Sequence, residues 1–231
     1  MRPPSRSCCR SGVTLIELLA VLAIIALLAA LAFPFLSRAR AKADMAAGLS
    51  NLHQVGMALQ SYLNDNNQSL PLVWSGQTPQ YQAGGTNTLG FHLWQYLGLP
   101  APTAQPQEAK VLGNPAYFRV RPAKDSRSLY LNYQVLAPDP KWTGEKFTPW
   151  GDPGMAKQTK TMLYMSQVGL AKTWAMVDVD KTLAASPPPL TPPFTGNWWV
   201  STLPAEPVYG QMRTFLYFDW SAKAVPVGSN P

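Results

Sequence analysis

Glu17 is the residue whose setting most demands a chemical explanation. It lies in a 24-residue run, residues 13–36, that is apolar apart from Thr14, Glu17 and Pro34. A carboxylate at the centre of a membrane helix costs about 2.5–3.5 kcal/mol on insertion scales and usually marks function. Buried in apolar surroundings, it is tolerated when paired. Other groups able to do chemistry are sparse. Asp178 and Asp180 flank Val179 at the end of a strand-like segment. Such a pair can form a hydrolytic dyad or a cation site; a solvated exit from strand to turn is the plainer reading. His53 and His92 are far apart, and Cys8 and Cys9 are adjacent near the N-terminus. No Gly-x-Ser-x-Gly elbow, phosphate loop, HExxH helix or paired-cysteine zinc signature is present. These residues point away from an enzyme, and to no cofactor or metal, with Asp219 left as the candidate cation ligand.

The element that carries Glu17 is long enough to cross a bilayer, which takes roughly 20 apolar residues of helix. Arg2, Arg6 and Arg10 precede it, as in a positively charged leader. Three readings compete: a secretory signal peptide cut after Ala30-Leu31-Ala32, a plain anchor, and a segment in which the carboxylate has a task. Glu17 opposes the first two. Beyond the run, Met45, Leu49, Leu52, Val55, Leu59 and Leu63 recur at three- and four-residue steps, an apolar stripe on one helix face. His53 on this helix reads as a packing or surface residue. Asn64-Asp65-Asn66-Asn67 ends the helix with turn formers. The expected helix is about 75 Å long at 1.5 Å per residue, and Pro34 is expected to kink it.

The remainder reads as short elements. Residues 89–99 are expected to hold a short apolar helix. Residues 128–136, 161–165 and 173–179 read as strands, and 213–219 with 222–227 as a final antiparallel pair. Residues 186–194, with five prolines, read as an extended polyproline loop. Trp198-Trp199 is either core packing under that loop or an exposed aromatic contact. The expected fold class is α+β: a long N-terminal helix, half membrane segment and half amphipathic, packed on a small antiparallel sheet with long proline-rich loops.

The stretch Gly12-Val13-Thr14-Leu15-Ile16-Glu17-Leu18-Leu19 resembles the cleavage and methylation motif of type IV prepilins and type II secretion pseudopilins. In that family a peptidase cuts after the glycine and methylates the new N-terminus, and the fifth mature residue is a glutamate. Glu17 holds that place, Pro34 falls at the frequent proline of the twenty-second, and Val13 stands where phenylalanine or methionine is usual. The resemblance implies a leader over residues 1–12, a membrane and assembly helix over 13–36, its amphipathic continuation over 37–67 and a globular domain over 68–231. It implies a structural filament subunit of a pilus-like or pseudopilus system; a minor subunit that binds a secreted substrate, glycan or DNA is the alternative. The implied partners are the prepilin peptidase/methyltransferase, other pilin or pseudopilin subunits, an inner-membrane assembly platform and the lipid bilayer. The implied location is the inner membrane, single-pass with the C-terminal domain outside the cytoplasm, and then a periplasmic or surface filament.

A narrower resemblance lies in Ser50-Asn51-Leu52-His53-Gln54-Val55-Gly56-Met57-Ala58-Leu59-Gln60-Ser61-Tyr62. It is similar to the helix that follows the membrane segment in pseudopilin-like proteins of the Planctomycetes–Verrucomicrobia group. Many of those end in His-x9-Asp-Gly. Here Tyr209, Asp219 and Trp220 keep the spacing while two of the three residues differ. Trp220 in place of glycine argues against a left-handed turn beside a metal, and Asp219 reads as a cap on local backbone amides.

Charge adds little on partners. The net charge is +7, with three of the cations in the first ten residues. The cluster Arg119, Arg121, Lys124 and Arg127 reads as a solvated loop face before a polyanion site. Arg2, Arg6 and Arg10 favour an orientation with the N-terminus in the cytoplasm, while Arg38, Arg40 and Lys42, on the far flank of the apolar run, oppose it. Cleavage after Gly12 would remove both cysteines, so no disulfide framework is expected.

Overall fold

A computed structural model of the chain describes residues 15–136, 146–155, 159–185 and 196–229. The leader, Gly12, Val13 and the polyproline stretch 186–194 lie outside the described residues. The chain divides into two compact units, residues 1–42 and 43–231. Helix α1, Leu15–Asp65, contributes to both.

In the first unit α1 is apolar around its whole circumference over residues 18–36. Its large apolar side chains are exposed, from Leu15 at 78% to Val21 at 53%. A helix of this kind has no preferred face to bury and suits an apolar surrounding.

In the second unit the helix pattern changes to a stripe. Leu52, Val55, Leu59 and Leu63 are buried to 3% exposure or less, with Met57 and His53 on the outer face. The stripe packs on an antiparallel sheet of order β1-β4-β7-β8-β9. These strands are β1 Gly76–Gln77, β4 Leu129–Leu131, β7 Trp174–Asp178, β8 Met212–Tyr217 and β9 Ala222–Pro226. Strand alternation sorts the side chains. Leu129, Leu131, Met176 and Leu216 face the helix, while Tyr130, Val177, Phe215 and Tyr217 face away. A bulge between Trp174 and Met176 turns Ala175 and Met176 to the same side.

The outer face is covered too. Trp199, Leu203 and Leu183 of α5 (Lys181–Ala185) pack there, and Trp199 stacks on Tyr130 with ring centroids 6.4 Å apart. This second layer explains why all five residues of β7 are buried. Two small ribbons, β2 Gln80–Tyr81 with β3 Gln107–Glu108 and β5 Val135–Leu136 with β6 Lys146–Phe147, flank the sheet sequence. Short helices α2 Leu89–Leu93 and α3 Pro115–Val120 complete the domain. The fold class is α+β, as expected, with a long N-terminal helix on an antiparallel sheet.

Two expected elements differ. Residues 161–165 form a one-turn helix, α4 Met162–Met165, because the Thr161 hydroxyl caps it by accepting the Tyr164 amide at 3.3 Å. The expected strand 128–136 breaks at Asn132, whose amide and side chain both bond to β7 carbonyls, at 2.8 Å each.

Two glycines let α1 approach its neighbours closely. A Cβ at Gly56 would stand 3.0 Å from the Trp220 Cβ and 3.3 Å from Leu216 Cδ1. A Cβ at Gly48 would overlap the Tyr209 hydroxyl. A fragment beginning at residue 37 is expected to be monomeric by light scattering, since the stripe is already covered. In that fragment, urea unfolding is expected to show Leu59→Ala losing about 2–5 kcal/mol and Gly56→Val about 1–3 kcal/mol from overpacking. Met57→Ala, on the exposed face, is expected to stay within about 0.5 kcal/mol of wild type. A light-scattering dimer or aggregate would mean the stripe is an intersubunit surface.

Candidate functional site

Glu17 lies in the first turn of α1, where the partial positive charge of a helix N-terminus favours a carboxylate. Pro34 lies within α1, which continues through it although the proline has no amide to bond the carbonyl of Ala30. The segment carrying both is long and apolar enough to cross a membrane.

The carboxylate pair behaves differently from the expected solvated exit. Asp178 and Asp180 are buried, at 7% and 2% exposure. Asp178 Oδ2 accepts the Thr214 amide at 3.1 Å and the Thr214 hydroxyl, and its Oδ1 accepts Asn114 Nδ2 at 3.2 Å. Asn114 Oδ1 in turn caps α3 by accepting the Tyr117 amide at 2.6 Å. Asp180 takes a bidentate Arg213, Nε to Oδ2 at 2.8 Å and Nη2 to Oδ1 at 2.9 Å. It also caps α5, its Oδ1 accepting the Leu183 amide at 2.9 Å. The space among these side chains holds no water-sized void. With every oxygen engaged, this pair joins α3, β7, α5 and β8.

Burial pushes the Asp178 carboxyl up to about 6, against the donors Thr214 and Asn114, which pull it down, and with Asp180 adding a smaller upward push. Arg213 and Asn114 are the partners that the sequence reading missed. A lone arginine in the apolar strand Met212-Arg213-Thr214-Phe215-Leu216 was the available signal, because arginine is rarely buried unless paired.

The two ends of the degenerate C-terminal motif go to different places. The Tyr209 hydroxyl donates to the Asp44 carbonyl at 3.2 Å and sits against Gly48. Burial, with the Asp178 and Asp44 carboxylates nearby, raises its pKa far above the ordinary tyrosine value. Asp219 Oδ1 accepts the Ser221 amide at 3.0 Å and its hydroxyl at 2.6 Å, the local cap expected of it. Slight burial raises the Asp219 carboxyl, but the Ser221 donors and Lys223 outweigh it and leave the pKa below the ordinary value. The expectation about Trp220 fails: Trp220 itself takes the left-handed conformation, with φ +64°. Its indole Nε1 donates to Gln60 Oε1 at 2.8 Å and its Cβ rests on Gly56, so tertiary contacts offset the strain. Among the described residues, no group of three His, Cys, Asp or Glu side chains could hold a metal ion.

Two of the four cations in the basic cluster pair with carboxylates and a third lies beside an aromatic ring. Arg119 pairs with Asp44, Arg121 pairs with Glu108 at 2.5 Å, and the Arg127 guanidinium lies 5.5 Å from the ring of Trp198. Trp198 is 72% exposed while Trp199 is in the core, stacked on Tyr130. His92 donates from Nε2 to the Thr86 carbonyl, 2.7 Å away, and burial keeps its pKa below the ordinary value.

Residues 8–33 match the family described as "Prokaryotic N-terminal methylation motif". No curated protein and no solved structure matches the chain. The motif supports a type IV pilin- or pseudopilin-like protein. An apolar N-terminal helix with this motif fits membrane anchoring, and the motif implies processing by a prepilin peptidase and assembly with other pilin subunits. The motif family is structural rather than enzymatic.

Two outcomes follow from the buried acids of this pilin-like domain. Arg213→Met is expected to lose about 3–5 kcal/mol in chemical unfolding at pH 7, because it leaves Asp180 buried without its cation. The double change Arg213→Met with Asp180→Asn is expected to recover part of that loss. Asp178 has a native pKa raised above its unfolded value, so its stabilising contribution is full below about pH 4 and is lost as pH rises through about 6. The stability difference between wild type and Asp178→Asn is therefore expected to shrink by up to ~3 kcal/mol over that window. A difference that is flat with pH would mean that Asp178 is ionised throughout.

Proposed function

We propose that this chain is a prepilin-like structural subunit of a type IV pilus-like or type II secretion pseudopilus filament. A prepilin peptidase cleaves after Gly12 and methylates Val13. The mature subunit waits in the inner membrane with residues 43–231 outside the cytoplasm, and an assembly platform moves it into a periplasmic or cell-surface filament. The observation that carries this reading is the methylation-motif match over residues 8–33, on a helix that is apolar except for a carboxylate in its first turn. Cleavage creates an α-amino group at Val13, four residues before Glu17. In an assembled filament the amine of a neighbouring subunit pairs with Glu17 and sets the axial register. The helix segment at residues 50–62 supports placing the chain with the Planctomycetes–Verrucomicrobia pseudopilin-like proteins.

A second reading has one observation in its favour. The exposed Trp198 ring has the half-buried Arg127 guanidinium 5.5 Å from its centroid, an aromatic and cationic pair suited to contacting a substrate or glycan. A minor, tip-located binding subunit would use such a patch. Immuno-labelling distinguishes the two: signal along the filament supports a major subunit and signal at tips a minor one.

Mass spectrometry of the native mature N-terminus is expected to show a methylated Val13. A start at Phe33 would show that a conventional signal peptidase had acted and would end the prepilin reading. Glu17→Ala is expected to remain inserted and processed, since the change removes a costly charge, while filament yield drops at least about tenfold through loss of the ion pair. Normal filament yield from this variant would remove the pairing role.

A further inference from the structure

Arg38, Arg40 and Lys42 follow directly on the apolar run and are exposed on α1. No salt bridge among the described residues involves them. The first carboxylate after them, Asp44, is held by both guanidinium nitrogens of Arg119. These cations are also misplaced for topology. Cationic residues near a membrane span collect on the cytoplasmic side, yet in the proposed orientation these three lie on the opposite side. Once residues 1–12 are removed, they are the only Lys or Arg side chains flanking the span. A charge cluster that opposes the orientation of its own helix needs another reason to be there.

Depth supplies it. Leu36 ends the apolar run, so Arg38 stands ~3 Å and Lys42 ~9 Å beyond it along a helix rising 1.5 Å per residue. The polar layer on each side of a bilayer is about 5–8 Å thick. All three cations therefore reach headgroup phosphates, with their flexible stems adjusting the last ångströms. Arg38 and Lys42 share one side of the helix and Arg40 takes the other, so the set encircles the helix instead of forming a one-sided patch for a single protein partner.

We propose that Arg38, Arg40 and Lys42 form a collar that binds the phosphates of anionic phospholipids in the non-cytoplasmic leaflet and holds the subunit at a fixed depth before assembly. The proposal rests on the membrane-spanning reading of residues 15–36. Its chemistry is that of a basic segment at a membrane exit, attracted to anionic headgroups and weakened by salt.

The test uses the full chain and the variant R38Q/R40Q/K42Q, each reconstituted in vesicles of equal phosphatidylglycerol and phosphatidylcholine. Both proteins carry the same leader, so a difference between them reports residues 38–42. Carbonate extraction first checks insertion, and native mass spectrometry then counts the retained lipids. Wild type is expected to retain phosphatidylglycerol over phosphatidylcholine by ~tenfold more than the variant, with the excess lost in 1 M salt. Equal retention by two inserted proteins overturns the proposal. If that equality comes with failed filament assembly by the variant, the cations bind carboxylates of a second copy. A chain stripped by carbonate overturns the membrane-spanning reading itself, a separate result from an inserted chain that ignores lipid charge.

Discussion

Gly56 brings α1 against the turn between β8 and β9, where Trp220 Cβ and Leu216 occupy the space a side chain would need. Much of the second unit is arranged around this approach. It lets Leu52, Val55, Leu59 and Leu63 sink fully into the sheet face formed by Leu129, Leu131, Met176 and Leu216. It holds Trp220 in a left-handed conformation that a bulky residue adopts only under tertiary restraint. The indole then reaches back to Gln60 on the helix, so hairpin and helix fix each other. A core at this spacing transmits changes in side-chain volume directly, because interiors are close-packed.

The same helix obeys a different rule at its other end. Over residues 18–36 it is apolar on every side; after residue 43 it is apolar along one stripe. The first pattern suits surroundings that are uniform around the axis, the second a partner on one face. Glu17 interrupts the first pattern, and Arg38, Arg40 and Lys42 close it. In the proposed reading the acid organises neighbouring subunits and the cations meet the membrane surface.

Much of this was legible in the residues themselves. The helix stripe and its Asn-rich end, the strand at 173–179 and the C-terminal hairpin follow directly from periodicity and turn chemistry. So does the role of Asp219 as a local cap. What was not legible depended on long-range partners. Asp178 and Asp180 look like a solvated exit until Arg213 arrives from the next strand and Asn114 from α3. Thr161 followed by apolar residues looks like a strand until its hydroxyl caps the following turn. Trp220 in a glycine position looked prohibitive because the contacts that hold it come from α1, about 160 residues earlier. Gly12 and Val13 carry their meaning in sequence alone, through the motif they belong to.

Because α1 is one uninterrupted helix from Leu15 to Asp65, it can act as a tension member. The domain grips this rod from Gly48 to Leu63, a length of ~22 Å at 1.5 Å per residue. Load along the axis falls on all those contacts at once, in shear, instead of unzipping them one after another. A helix gripped in this way would slide out of its domain only after most of the core had yielded.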